Sequence, residues 1–101
     1  MEDPDIKNIV AIRKLNVKGS DDNVTVVLGK PQEINNGEDY FCPYQVIGIG
    51  KDGVRKAYGV DAIQAIQLAM KKIGAELSSS PQAKIGKLNW DGGEEGDFGF
   101  S

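Results

Sequence analysis

The sequence lacks reactive side chains that most enzymatic chemistries require. Histidine is absent from the 101 residues, and cysteine occurs once, at Cys42. A Ser-His or Cys-His nucleophile pair, a Cys/His zinc site and an internal disulfide are therefore excluded. Cys42 also lacks the basic neighbour that activates a thiolate, so we expect a small buried hydrophobe. A thiol that senses oxidants is the alternative.

Three glycines, Gly48, Gly50 and Gly53, have the G-x-G-x-x-G spacing of a dinucleotide-binding loop. That fingerprint requires a helix to begin at the glycines, because the amides at its N-terminus bind the pyrophosphate. Here the following residues, VRKAYG, are typical of a strand. The pattern therefore predicts a hairpin, and we expect no cofactor.

Four carboxylates near the end of the sequence are spaced by glycines, namely Asp91, Glu94, Glu95 and Asp97. Carboxylate oxygens bind calcium, but the D-x-[DN]-x-[DN]-G order of an EF-hand loop is missing. A single acidic turn is more often a solvated one, so we predict no metal site.

Three large aromatic residues, Trp90, Phe98 and Phe100, lie among those glycines and carboxylates. Burying one such side chain is worth about 1.5–3 kcal/mol, so we expect all three to dock on a surface. We predict that the tail from Trp90 to Phe100 docks back on its own domain. Docking on a partner is the alternative.

Three further residues, Tyr44, Tyr58 and Asp61, are predicted to lie near a cleft between helix and sheet. Together with the tail aromatics they make up the candidate ligand- or partner-binding residues: Tyr44, Tyr58, Asp61, Trp90, Phe98 and Phe100. No catalytic residue is predicted.

The charge distribution limits the classes of partner. Residues 1–90 hold 12 basic and 11 acidic residues, whereas residues 91–101 hold four acidic residues and no basic one. Nucleic-acid binding requires a basic footprint and is not expected. The acidic N-terminus does not resemble a signal peptide, and no stretch has the ~18 apolar residues of a membrane span. With a single thiol, we expect a protein of the reducing cytoplasm, without membrane association.

Four stretches have the alternation and β-branched content of strands. They are residues 8–17, 24–29, 40–50 and 54–59. In the first, Ile9, Ala11, Leu15 and Val17 are predicted to share one side, and residues 30–39 are predicted to be a loop. Pro43 lacks an amide donor, so it must face an edge or a bulge.

One helix is predicted after the strands. Its apolar stripe recurs at steps of three and four and comprises Ile63, Ile66, Met70, Ile73 and Leu77. Asp61 has the position of an N-cap, with Gln64 at the spacing of a capping box. The helix ends at either Gly74 or Leu77. Residues 1–101 thus form a single α+β domain, an antiparallel sheet of about four strands with one long helix packed on one face.

The segment CPYQVIGIG…AYGVDAIQAIQLAMKKIGAEL…LNW…GDFGF resembles a family of small bacterial proteins described only as a domain of unknown function. The matching features are Cys42, the G-x-D-x-x-Q-A opening of the helix at Gly59, the late Trp90 and the terminal Gly99-Phe100. The resemblance implies no activity, ligand or catalytic residue.

The function that agrees best with these observations is a non-enzymatic module that binds another protein. Small acidic bacterial domains include immunity proteins that block a toxin, which is the sharpest analogy. A homodimer is compatible with the sequence. The alternative is a small-molecule-binding domain or minor enzyme that uses the helix–sheet cleft, which a large apolar pocket with convergent polar groups would favour.

Overall fold

The centre of the fold is an antiparallel sheet of six strands. The computed structural model describes residues 6–50, 52–90 and 98–100. In chain order the strands are β1 (Ile9–Val17), β2 (Asn23–Gly29), β3 (Gln32–Ile34), β4 (Asp39–Ile47), β5 (Arg55–Gly59) and β6 (Leu88–Asn89). The four predicted strands are β1, β2, β4 and β5. The two short strands were not predicted, and β3 lies within residues 30–39, where the sequence predicted only a loop.

The pairing of β4 fixes the strand order. Tyr40 pairs with Glu33 of β3 on one edge and with Gly59 of β5 on the other. Tyr44 likewise pairs with Leu28 of β2 and with Arg55 of β5. Because β5 pairs with β4 from Tyr40 to Tyr44, at residues that also pair with β3 and β2, these two strands share the other edge of β4. The order is therefore β5, β4, then β2 with β3, then β1 and β6.

Pro43 lies where the neighbour of β4 changes from β2 to β3. On that edge the pairing with β3 ends at Phe41 and the pairing with β2 begins at Tyr44. Pro43, which lacks an amide donor, therefore lies beside a gap in the ladder, where the sequence predicted an edge or a bulge.

Two helices follow the strands, α1 (Ala62–Ser79) and the short α2 (Pro81–Lys84). The buried residues of α1 are Ala65, Ala69, Ile73 and Leu77. The predicted stripe is therefore wrong at its first position, because Ile63 is 69% exposed. The reason is the close approach of α1 to β5: a Cβ on Gly59 would lie 2.5 Å from the backbone nitrogen of Ala65. Small side chains must face the sheet there, which turns Ile63 outward.

The ends of α1 are set by side-chain caps. The Asp61 carboxylate accepts a 2.8 Å hydrogen bond from the backbone N–H of Gln64, which confirms the predicted N-cap. The Gln64 side chain in turn accepts from the backbone N–H of Val60, one residue before the cap. At the other end, the helix continues past both Gly74 and Leu77 to Ser79.

The sheet is fully buried on one face and partly buried on the other. The face under α1 forms the main core, with Leu15, Val24, Val26, Cys42 and Val46 at or near zero exposure. On the opposite face Val27, Pro43 and Gln45 are also buried. That face is covered in part by Ile6 and by the loop after β4, where the Gln45 side chain donates a 2.7 Å hydrogen bond to the carbonyl of Asp52.

Within the described parts of the chain, no helix is both long enough and apolar enough to cross a membrane.

Candidate functional site

Arg13 is the centre of an aromatic cluster beside β1. Its guanidinium carbon lies 3.6 Å from the ring centre of Trp90 and 5.0 Å from that of Phe100. Its Nη1 donates a 3.0 Å hydrogen bond to the carbonyl oxygen of Phe98. Three of the predicted site residues, Trp90, Phe98 and Phe100, therefore meet at one arginine.

Backbone pairing and two glycines create this arrangement. β6 pairs Leu88 with Val17 and Asn89 with Asn16, which delivers the next residue, Trp90, to the side of β1. Gly99 has φ +78°, and a Cβ there would overlap both Arg13 and Trp90. Only glycine suits that position.

The helix contributes the second glycine. A Cβ on Gly74 would lie 2.7 Å from the carbonyl oxygen of Phe100 and 3.3 Å from its Cβ. Gly74 is thus a packing residue, which explains why α1 does not end there. A glycine costs a helix interior about 1 kcal/mol relative to alanine, so the close contact with Phe100 is the physical reason for its presence.

The aromatic side chains contact the protein's own core. Phe98 is 6% exposed, and the half-buried Trp90 and Phe100 pack against the buried cluster under α1. Residues 91–97, which carry the four carboxylates considered for calcium, lie outside the described residues.

An apolar cleft of about 220 Å³ lies beside the cluster. Its walls come from β1, β2, α1 and the C-terminal aromatic segment: Ala11, Ile12, Arg13, Val26, Leu28, Met70, Gly99 and Phe100. The guanidinium of Arg13 is the charged group of this lining, and it is engaged by the aromatic rings. The cleft therefore suits an aliphatic side chain better than a polar ligand.

The edge of β1 next to this cleft is open in the described chain. β6 pairs with β1 only at Asn16 and Val17, and no other described strand pairs with that edge along residues 9–15. The register with β2 shifts between Ile9 and Ala11, so Val10 is the extra residue of a bulge. The regular open stretch therefore runs from Ala11 to Leu15. The β1 edge site denotes this stretch together with the apolar cleft.

Exposed aliphatic side chains and basic side chains occur together along the β1 edge site. Ile9, Val10 and Ile12 are 40%, 54% and 51% exposed. The charged residues between positions 6 and 19 are all basic, namely Lys7, Arg13, Lys14 and Lys18. Edge strands are commonly protected by charge alone, so three exposed aliphatic side chains at a bulged edge are unusual.

The other predicted site residues do not meet. Tyr44 is buried and faces α1, whereas Tyr58 is 56% exposed and contacts Phe41 on the opposite face of the sheet. Asp61 is used as the cap of α1. These three side chains do not line one cleft.

Cys42 lies in the main core. Its thiol is fully buried and donates a weak 3.5 Å hydrogen bond to the carbonyl of Gly29. Burial raises the pKa of the Cys42 thiol to about 11, which keeps it protonated and unreactive at neutral pH.

A second cleft, more polar than the first, lies between the C-terminal half of α1 and the loop after β4. Arg55 of β5 and Glu76 of α1 form an ion pair in its wall, and the cavity measures about 380 Å³. The second carboxylate oxygen of Glu76 is buried without a hydrogen-bond partner, so it is shielded from any ligand in the cavity.

No three His, Cys, Asp or Glu side chains are grouped as metal ligands within residues 6–50, 52–90 and 98–100.

A family model, that of a domain of unknown function (DUF6968), matches residues 11–101. The chain therefore belongs to this family, in agreement with the resemblance found in its sequence. No curated protein and no solved structure matches the chain.

Proposed function

We propose that this DUF6968 domain is a non-enzymatic binding module, and that the β1 edge site receives an extended segment of another protein. The observation that carries the proposal is the edge of β1 from Ala11 to Leu15, with which no strand of the described residues pairs, beside an apolar cleft. An added strand hydrogen-bonds to such an edge through its backbone, and alternate side chains enter neighbouring pockets.

The partner segment is acidic as well as apolar. Lys7, Lys14 and Lys18 are exposed along β1, and no acidic residue lies between positions 6 and 19. A strand that alternates carboxylates with aliphatic side chains would place the carboxylates on the face that carries Lys14 and the aliphatic side chains on the other face, in the cleft beside Ala11. A second copy of β1 would instead bring the same positive charges together.

The small-molecule alternative receives less support. The described cavities are small and open, and the predicted set of Tyr44, Tyr58 and Asp61 is divided between the two faces of the sheet and a helix cap. The Arg55–Glu76 cleft is the best remaining candidate, but these two groups already neutralise each other. A bound ligand would need to break that pair.

The tail from Trp90 to Phe100 is assigned to the fold, and its residues Gly99 and Phe100 also form part of the wall of the β1 edge site. The assignment is supported by the Arg13 contacts and by the burial of Phe98. The bacterial cytoplasm is the proposed compartment, since a single buried thiol requires no oxidising environment.

The test uses the full chain with two synthetic nine-residue peptides. One alternates glutamate with valine, and the other replaces each glutamate with lysine. We expect the acidic peptide to bind at least about tenfold more tightly in an NMR titration, with the largest shifts at residues 9–15. Lys14→Glu should weaken this binding, whereas the control Lys84→Glu, at an exposed residue of α2, should not. Equal binding of both peptides, or shifts confined to α1, would contradict the proposal.

A further inference from the structure

The opposite edge of the sheet suggests a different partner. β5 pairs with β4 on one side, and no described strand pairs with its other side. Around this edge Val54, Tyr58 and Val60 are 41%, 56% and 65% exposed. Exposed apolar side chains beside an open strand edge indicate an interaction surface. We propose that β5 pairs with β5 of a second copy of this chain, which forms a two-fold symmetric dimer.

The sequence of β5 is complementary to itself in the register that pairs all five residues. That register is antiparallel and centred on Ala57, so residues whose numbers sum to 114 lie opposite each other. Lys56 then lies opposite Tyr58 of the second copy, so the aliphatic part of the lysine side chain contacts that ring while its ammonium stays on Phe41. Val54 faces Val60 of the second copy just beyond the strand ends. Each exposed apolar residue therefore acquires a partner.

The small residues of β5 also agree with this register. Arg55, which is paired with Glu76 of its own chain, lies opposite Gly59 of the second copy, where no side chain obstructs it. The remaining central position is Ala57, whose small buried side chain leaves room beneath the helices.

Lysines on edge strands often prevent such pairing, and β5 contains Lys56. In this structure, however, its ammonium lies 4.6 Å from the ring centre of Phe41 and is directed along its own sheet. The lysine therefore leaves the edge accessible.

The position of α1 allows the two sheets to join. The helix packs over both β4 and β5. With strands about 4.8 Å apart, a helix centred between them would lie about 10 Å from its symmetry mate, which is close to the usual distance between packed helices. Leu68, Lys72 and Ala75 follow one another at steps of four and three on the flank that carries Glu76, the ion-pair partner of β5. This flank would form the contact between the helices.

The experiment is sedimentation velocity across a wide range of protein concentration. We expect a concentration-dependent dimer that Val60→Lys and Tyr58→Lys each weaken by at least about tenfold. Two control variants carry the same change elsewhere: Ile85→Lys at an exposed residue after α2, and Ile12→Lys on β1. Neither should affect the dimer. Both β5 variants change exposed residues, and circular dichroism verifies that they fold.

Hydrogen exchange provides a second measurement that needs no variant. The backbone amides of β5 that point away from β4 should exchange more slowly at high protein concentration than at low concentration. The exchange rates of the amides of residues 11–15 should not change. A protein that stays monomeric at all concentrations would overturn the proposal. A dimer abolished by Ile12→Lys but not by Val60→Lys would also overturn it, because the association would then belong to β1.

Discussion

Arg13 stacks on Trp90, with its guanidinium carbon 3.6 Å from the ring centre of the indole. The pair joins the second half of β1 to the residue that follows β6. Cation–π contacts of this kind contribute about 0.5–2 kcal/mol, and the hydrogen bond to Phe98 adds a further contact at the same group. The last described residues of the chain are therefore anchored to the first strand.

Replacing the guanidinium should loosen this anchor. We expect Arg13→Ala to lower the free energy of unfolding by about 1–3 kcal/mol, because both the ring contact and the bond to Phe98 are lost. Trp90 fluorescence should shift to longer wavelength as the indole becomes more solvated. Urea denaturation measures the first effect. Lys14→Ala, at the exposed neighbouring residue, is the control. An equal loss of unfolding free energy in that variant would show that the contacts of Arg13 with Trp90 and Phe98 do not stabilise the fold.

Gly74→Ala should destabilise the protein, although the same exchange stabilises an ordinary helix. Exchanging an interior glycine for alanine usually stabilises a helix by about 1 kcal/mol. Here the added methyl group would collide with the carbonyl of Phe100, so we predict a loss of stability and a solvated Trp90. Thermal unfolding and Trp90 emission measure both. A stabilised variant with unchanged emission would show that Phe100 does not pack against Gly74.

Alanine substitutions at Ile73 and Ile63 of α1 distinguish the core face seen in the structure from the stripe predicted from the sequence. Ile73 has no exposed surface, so Ile73→Ala should cost about 2–5 kcal/mol. Ile63 is mostly exposed, and Ile63→Ala should stay within about 0.5 kcal/mol of the wild type. Equal losses for the two variants in urea denaturation would favour the original stripe.

The N-cap of α1 provides a fourth stability test. Asp61→Ala should cost about 0.5–2 kcal/mol, because the amide of Gln64 loses its acceptor. Asp61→Asn keeps an acceptor and should restore most of that loss. If both variants destabilise equally, the carboxylate stabilises the fold in some other way.

The Cys42 thiol should make stability depend on pH in the alkaline range. Its pKa is about 11 in the folded protein against the usual 9.0, so the unfolded chain releases the proton first. The free energy of unfolding should therefore fall as the pH rises from 9 to 11. Cys42→Ala should lack this part of the decrease. At pH 8 the native thiol should react with iodoacetamide far more slowly than the unfolded one, as measured by mass spectrometry.

Short-range patterns in the sequence predicted the elements that depend on short-range physics. The alternation in β2 and the cap at Asp61 are determined by residues close to one another in the chain, and both agree with the structure. The helix stripe was wrong at Ile63 because its orientation depends on Gly59, whose close contact with Ala65 is not visible as a periodicity. Helix periodicity gives a face, but packing selects which part of that face touches the sheet.

The arginine at the centre of the cluster could not have been found in this way. Arg13 and Phe98 are 85 residues apart, and nothing in the local sequence links them. The glycines were the available signal. Gly74 interrupts a good helix pattern and Gly99 separates two aromatics, and both are positions where a neighbour approaches too closely for a Cβ.

The span between Arg13 and Phe98 also has a consequence for biosynthesis. A ribosome adds about 5–20 residues per second, so β1 emerges on the order of 4–17 seconds before the carbonyl that Arg13 will bind is made. During that interval the core cluster that contains Leu15 lacks Leu88 and Phe98, which are still to be made. The nascent chain therefore cannot complete its core until its C-terminal aromatic residues have been synthesised.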